Sequence, residues 1–232
     1  MNHWQLTDAS AKYTNGPWQV SFHRSEASQG LLVARDCVNT QQPLQLFAPV
    51  FPNTDRAITL TQCVSCGSTL EVTRAADTAD PVETTLTWKM FADAGEDLGI
   101  DLVISVRTEL LQTPVDVQMQ TRLPADEVLA RDGSQWAPAV DSSAGCTLFR
   151  LTGEPLSYLE MIHPDDARGT MIGGQGGSTA VTHSLFGSPL EKGVILRARL
   201  RGMLLPREHD TVRAAAAYAD FAEAAPPLGR TD

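Results

Sequence analysis

Between residues 100 and 107 the chain sets one wholly apolar face against a more polar one. Ile100, Leu102, Ile104 and Val106 fall on one side of an extended backbone, and Asp101, Val103, Ser105 and Arg107 on the other. A repeat of two fits a β-strand with one face in a core and the other near water. The same rhythm sets Trp18, Val20 and Phe22 against Gln19, Ser21 and His23, and Val115, Val117 and Met119 against Asp116, Gln118 and Gln120. Shorter strand-like runs occur at 31–34, 44–48, 58–62, 69–73, 84–90, 146–151 and 158–162, parted by Gly, Pro, Asn and Asp clusters. Proline at 114 marks a corner within 110–114. Many strands with frequent turn signals predict an all-β antiparallel sandwich.

Three segments read differently. Residues 123–131 suit a short helical turn. The stretch 131–145 reads as loop, with Asp132-Gly133, Pro138 and Ser142-Ser143 as breakers. Residues 208–225 predict a C-terminal helix, with Asp210 as its cap and Pro226-Pro227 as its stop. Its alanines favour helix, and Val212, Ala215, Ala219 and Ala222, flanked by Tyr218, form a stripe that can lie on a sheet. With no repeat and no break in composition, residues 1–232 read as one domain, and 232 residues suffice for a core without staples.

The formal net charge of −10 opposes phosphate backbones and anionic lipid surfaces. Nucleic acid and membrane are therefore poor partners, and oligomeric state is left open. The N-terminus lacks a basic region followed by an apolar one, and no apolar run reaches bilayer length, so a cytoplasmic location is expected. Cys37, Cys63, Cys66 and Cys146 then read as reduced thiols. Cys63 and Cys66 form a CxxC, but no second ligand pair follows and the surrounding residues favour strand, so no metal is expected. No phosphate-loop or dinucleotide pattern occurs, and no cofactor is expected.

The densest chemistry lies between 158 and 202. Glu160, His163 and His183 are candidate catalytic residues, although Glu160 and His163, three apart on a strand, would face opposite ways. A turn after Pro164 can bring His163, Asp165 and Arg168 together as a base and an anion clamp; the simpler reading is that Asp165 and Asp166 build the turn and Arg168 pairs with one of them. The glycines at 169–177 suggest a mobile surface loop, or a lid over a site. Beyond them, Val194, Leu196, Ala198 and Leu200 alternate with Ile195, Arg197, Arg199 and Arg201. Such an Arg row either pairs with acidic side chains on neighbouring strands or grips a ligand.

Residues 190–207 (LEKGVILRARLRGMLLPR) and 99–111 (GIDLVISVRTELL), with the tail from Tyr218 to Pro-Pro-Leu, resemble an uncharacterised group of bacterial β-rich proteins of planctomycete type. Strand density and the long Arg-bearing strand are more loosely similar to the supersandwich fold of galactose-mutarotase-like proteins. That second likeness implies sugar chemistry based on His and Glu. The expected function is binding of a sugar or related polar small molecule on a concave sheet face, with Asp165, Arg168, Arg197, Arg199 and Arg201 in contact and Trp18, Trp88 or Trp136 as stacking surfaces. The alternative is a non-enzymatic interaction or scaffold domain.

Overall fold

A computed structural model describes residues 2–35, 43–52, 58–78, 80–92, 98–139, 145–175 and 177–225. Cys37, Ser142, Ser143, Pro226 and Pro227 lie outside the described residues. The strands in chain order are β1 (Gln5–Leu6), β2 (Ser10–Asn15), β3 (Trp18–His23), β4 (Leu31–Arg35), β5 (Leu44–Val50), β6 (Leu60–Cys66), β7 (Thr69–Arg74), β8 (Val82–Phe91) and β9 (Leu98–Thr108). They continue with β10 (Val117–Leu123), β11 (Ala125–Asp132), β12 (Gln135–Pro138), β13 (Cys146–Leu151), β14 (Leu156–Ile162), β15 (Gly169–Gln175), β16 (Ser178–Leu185) and β17 (Ile195–Pro206). The α-helix α1 (Asp210–Glu223) follows.

These strands form two antiparallel sheets. The first has eight strands in the order β1-β2-β3-β4-β5-β10-β16-β15, the second nine in the order β12-β11-β13-β14-β17-β9-β8-β7-β6. One cluster of buried apolar side chains joins them, drawing Phe22, Leu46 and Met119 from the first sheet and Trp88, Leu102 and Leu200 from the second. The alternation in β9 is realised as expected: Ile100, Leu102, Ile104 and Val106 are buried, while Asp101, Val103 and Ser105 are half-buried on the outer face. The all-β sandwich therefore follows from the two-residue rhythm. Among the described residues, no helix is long and apolar enough to cross a membrane.

Several local expectations are corrected. The glycine-rich stretch is a β-hairpin, β15 paired with β16 from Gly169↔Ser184 to Gln175↔Ser178, and not a surface loop. Its tight turn places Gly177 at φ 84°, a conformation suited to glycine. Residues 123–131 extend β10 into β11 instead of forming a helical turn, because β11 pairs along β13 and buries Leu129 and Ala130. The supposed loop at 131–145 contains β12, which closes a hairpin on β11 around Gly133 at φ 57°.

The helix forms near its expected place, but with a different face and a different start. It buries Asp210, Ala214 and Phe221, with Ala217 and Tyr218 packed beside them, while Val212 is 69% exposed. The expected alanine stripe carried little apolar contrast, and the two aromatics set the docking face. That face covers Leu148, Leu159, Met161 and Met203 on the outer side of the nine-stranded sheet. His209, at φ 58°, precedes the helix as its cap residue without a side-chain cap bond. Asp210 is the first helical residue and accepts hydrogen bonds from Arg150 at 3.0 and 3.1 Å and from Ser157 at 2.7 Å.

Burial disfavours the Asp210 carboxylate. The hydrogen bonds from Arg150 and Ser157 outweigh it together and hold the pKa below the ordinary carboxylate value. A lowered folded pKa gives stability that is present above the unfolded value of about 4 and lost as pH falls through the folded one. Asp210→Ala should cost about 1–3 kcal/mol in urea unfolding, because Ser157 and part of Arg150 lose a buried partner. The wild-type advantage over this variant should shrink as pH falls below about 4.

Candidate functional site

Most inward-facing side chains of both sheets are apolar. Near one side of the sandwich, five are not. Tyr158 and Glu160 point inward from β14, two residues apart on one strand and so on one face. Thr121 points inward from β10, His183 from β16 and Thr170 from β15, where Thr170 stands opposite His183. The Glu160 carboxylate meets all of these except Thr170, which it reaches through His183. Its Oε2 accepts from the Thr121 hydroxyl at 2.6 Å and the Tyr158 hydroxyl at 2.7 Å, and its Oε1 lies 2.8 Å from His183 Nε2. The other ring nitrogen, Nδ1, lies 3.0 Å from Thr170 Oγ1. Glu160 and His183 are each 1% exposed.

The proton positions follow from counting donors. A carboxylate only accepts, so Nε2 carries a hydrogen and donates to Glu160, and a neutral imidazole then leaves Nδ1 bare to accept from Thr170. The Thr121 hydroxyl, which donates its hydrogen bond to Glu160, accepts from the backbone N–H of Phe47 at 3.2 Å. That N–H is available because β5 bulges opposite Thr121: the register with β10 shifts between Gln120 and Arg122, and Phe47 takes φ 53°. Gly202 faces Glu160 across the ladder, where a Cβ would collide with the Tyr158 hydroxyl and come within 3.0 Å of the Phe47 ring.

A second cluster lies on the opposite face of the nine-stranded sheet. Arg199 Nε bonds Asp166 at 2.8 Å, and its NH2 group reaches His163 Nδ1 at 2.8 Å. Asp165, largely exposed, stands 3.7 Å from the same guanidinium. The backbone oxygen of Ala224, just past α1, accepts from Arg199 at 3.3 Å. His163 meets Phe221 edge-on at 5.7 Å. Arg201 pairs with Asp101 through two bonds, at 2.6 and 3.1 Å, and lies between the rings of Phe91 and Phe221.

Beside this cluster the helix ends, and none of the described residues covers the sheet. Cross-strand neighbours form rows there: Thr69, Lys89, Asp101 and Arg201 in one; Glu71, Thr87, Val103 and Arg199 in the next; Thr73, Thr85, Ser105 and Arg197 in a third. A groove of about 320 Å³ runs over the first two rows, with Phe221, Ala224 and Ala225 as its wall.

The candidate residues are thus divided between two places. Glu160 and His183 come together in the core, and His163 lies on the other face, as its spacing from Glu160 requires. Asp165 meets Arg199 and not Arg168. The Arg168 guanidinium is exposed and donates to Ala167 O, with its stem against Gly187. The partner of Asp166 is Arg199, 33 residues away, because the turn after β14 folds back over β17. Of the Arg row, Arg199 and Arg201 are paired, and Arg197 is exposed. Trp18 and Trp88 belong to the core, and Trp136 packs near α1, so none of them lines the groove. Cys63 packs toward the core and Cys66 is exposed on the opposite face of β6, so the CxxC thiols diverge.

No family model matches the chain, and no curated protein matches it. The resemblance to the planctomycete-type group gains no support from either comparison. Among solved structures, the α-N-acetylgalactosaminidase NagBb of Bifidobacterium bifidum, in complex with GalNAc, aligns with a TM-score of 0.62 at 14% identity over 90% of this chain. This chain spans 38% of the length of that enzyme. A protein assigned as an aldose 1-epimerase from Klebsiella pneumoniae covers 95% of this chain and 87% of its own, at 11% identity and a TM-score of 0.44, too slight an overlap to carry an argument. The likeness to the first establishes a shared sandwich fold.

Burial, and then the charge of the adjacent Glu160 carboxylate that accepts its hydrogen bond, hold the Tyr158 phenol well above its usual pKa of 10. A raised folded pKa gives stability that is complete below the unfolded value of about 10 and is lost as pH rises beyond it, since the unfolded chain ionises first. Phenolate absorbance of Tyr158 should therefore appear only together with loss of the sheet spectrum. Tyr158→Phe should cost about 1 kcal/mol at neutral pH and lose stability less steeply above pH 10.

Proposed function

We propose that this sandwich binds a sugar or a closely related polyhydroxylated small molecule in the groove between the end of α1 and the outer face of β7, β8, β9 and β17. One observation carries the reading: the helix covers half of an otherwise continuous sheet face, and the uncovered half is a grid of hydroxyl and charged groups beside an aromatic wall. A volume of about 320 Å³ falls in the range of about 300–1,000 Å³ common for small-molecule sites. Thr69, Thr87, Lys89 and Asp101 offer donors and acceptors to ring hydroxyls, and Phe221 offers an apolar surface. The clamp on Arg201 by Asp101 and two rings fixes the groove floor in advance, which lowers the entropy lost on binding. The sandwich fold shared with a GalNAc-complexed glycosidase supports a carbohydrate ligand.

The pairing of Arg199 and Arg201 favours a second reading, in which the row only ties the sheet to α1 and the domain serves as an interaction or scaffold module. Thermal unfolding with a panel of monosaccharides and amino sugars separates the two. A ligand specific to the native state raises the midpoint by mass action. The expected result is a rise that Lys89→Ala and Thr87→Val reduce by at least tenfold in apparent affinity without lowering the ligand-free midpoint. No rise across the panel would leave the scaffold reading standing.

A further inference from the structure

The buried network has a direction. Its carboxylate and imidazole are each 1% exposed, whereas its last member, Thr170, is half-buried. Thr170 sits on β15, at the rim of the eight-stranded sheet, and no described strand pairs with the other edge of β15. The order is carboxylate, imidazole, hydroxyl, at 2.8 and 3.0 Å. A nucleophile within hydrogen-bond reach of a base, with that base oriented by a third group, is the arrangement that activates a hydroxyl. We infer that Glu160, His183 and Thr170 form such a relay, in which Thr170 Oγ1 takes the acyl group of a small ester.

The proton count supports this assignment. Because Glu160 already accepts from Thr121 and Tyr158, its carboxylate is fixed in place, and it holds the Nε2–H tautomer of His183. The bare Nδ1 lone pair then faces the Thr170 hydroxyl. In the first step Oγ1 bonds to the acyl carbonyl carbon while its proton moves to Nδ1. The resulting imidazolium is balanced by the Glu160 carboxylate. The bond from acyl carbon to the leaving oxygen breaks, and that oxygen takes the proton from Nδ1, leaving an ester on Thr170. In the second step water gives a proton to Nδ1 and attacks the same carbon. The carboxylic acid departs, and the Thr170 hydroxyl recovers its proton.

Access is along the rim. Thr170 is the half-buried member of the relay and sits on the edge strand, with no described strand beyond it. An edge strand also presents backbone N–H groups without a ladder partner, which can receive a developing oxyanion. This suits a short acyl group such as acetyl. The relay lies on the inner face of the nine-stranded sheet and the groove on its outer face, so failure of either idea leaves the other intact.

The test uses p-nitrophenyl acetate with the full chain. A burst of p-nitrophenolate is expected, with acetyl located on Thr170 by peptide mass spectrometry. Thr170→Ser should retain the adduct. Thr170→Val, near in shape, should lose both burst and adduct while staying folded, with a modestly lower melting midpoint because His183 Nδ1 loses its partner. His183→Gln should slow the burst at least about 100-fold, the loss expected for a general base. If His183→Gln fails to fold, the Thr170 pair still decides. Absence of acetyl on Thr170 in the wild-type protein, or an equal burst from Thr170→Val, overturns the proposal.

Discussion

Glu160 accepts hydrogen bonds from both sheets while shut away from water. Tyr158 approaches it from its own strand, and Thr121 and His183 approach from the sheet opposite. Apolar contacts between two sheets are not directional and tolerate sliding. A carboxylate with three fixed donors is not tolerant, since leaving any donor or the charge unmet in the interior costs several kcal/mol. The bulge that turns Phe47 inward and the missing side chain at Gly202 both make room for this contact. The register of the two sheets over each other is tied to this point.

The two faces of the nine-stranded sheet have separate tasks. The inner face closes the core and carries Tyr158 and Glu160. The outer face is divided by α1. Under the helix it is apolar, and the helix is fastened at its start by Asp210 with Arg150 and Ser157, and near its end by Arg199 against Ala224. Beyond the helix the face is polar and open. Arg199 and Arg201 stand at the boundary, where they bind the turn after β14, the helix end and the groove floor into one unit.

The sandwich was legible because alternation is a local property: each of β3, β9 and β17 shows it within a few residues. The hairpin β15–β16 was misread because its glycines suggest a loop, and the strand β11 because residues 123–131 suit a helical turn, while the pairing that holds both is non-local. The core network left a signal that was passed over. Thr121 follows Val117 and Met119 on one inward face, and His183 lies between Val181 and Leu185 on another. A polar residue in an apolar row needs a buried partner, and the neighbours Tyr158 and Glu160 supply it on a third strand. Which of these rows face one another depends on sheet order, which the spacing of residues along the chain does not contain. The partner of Asp166 was hidden for the same reason.

The direct test of the clasp is a double-mutant cycle across the two sheets, with Thr121→Val and Glu160→Met measured singly and together by chemical denaturation. Removing the acceptor alone strands the Thr121 hydroxyl, and removing both relieves it, so the two losses should fall short of additivity by about 1–3 kcal/mol. Losses that add to within about 0.5 kcal/mol would contradict a carboxylate that joins the sheets.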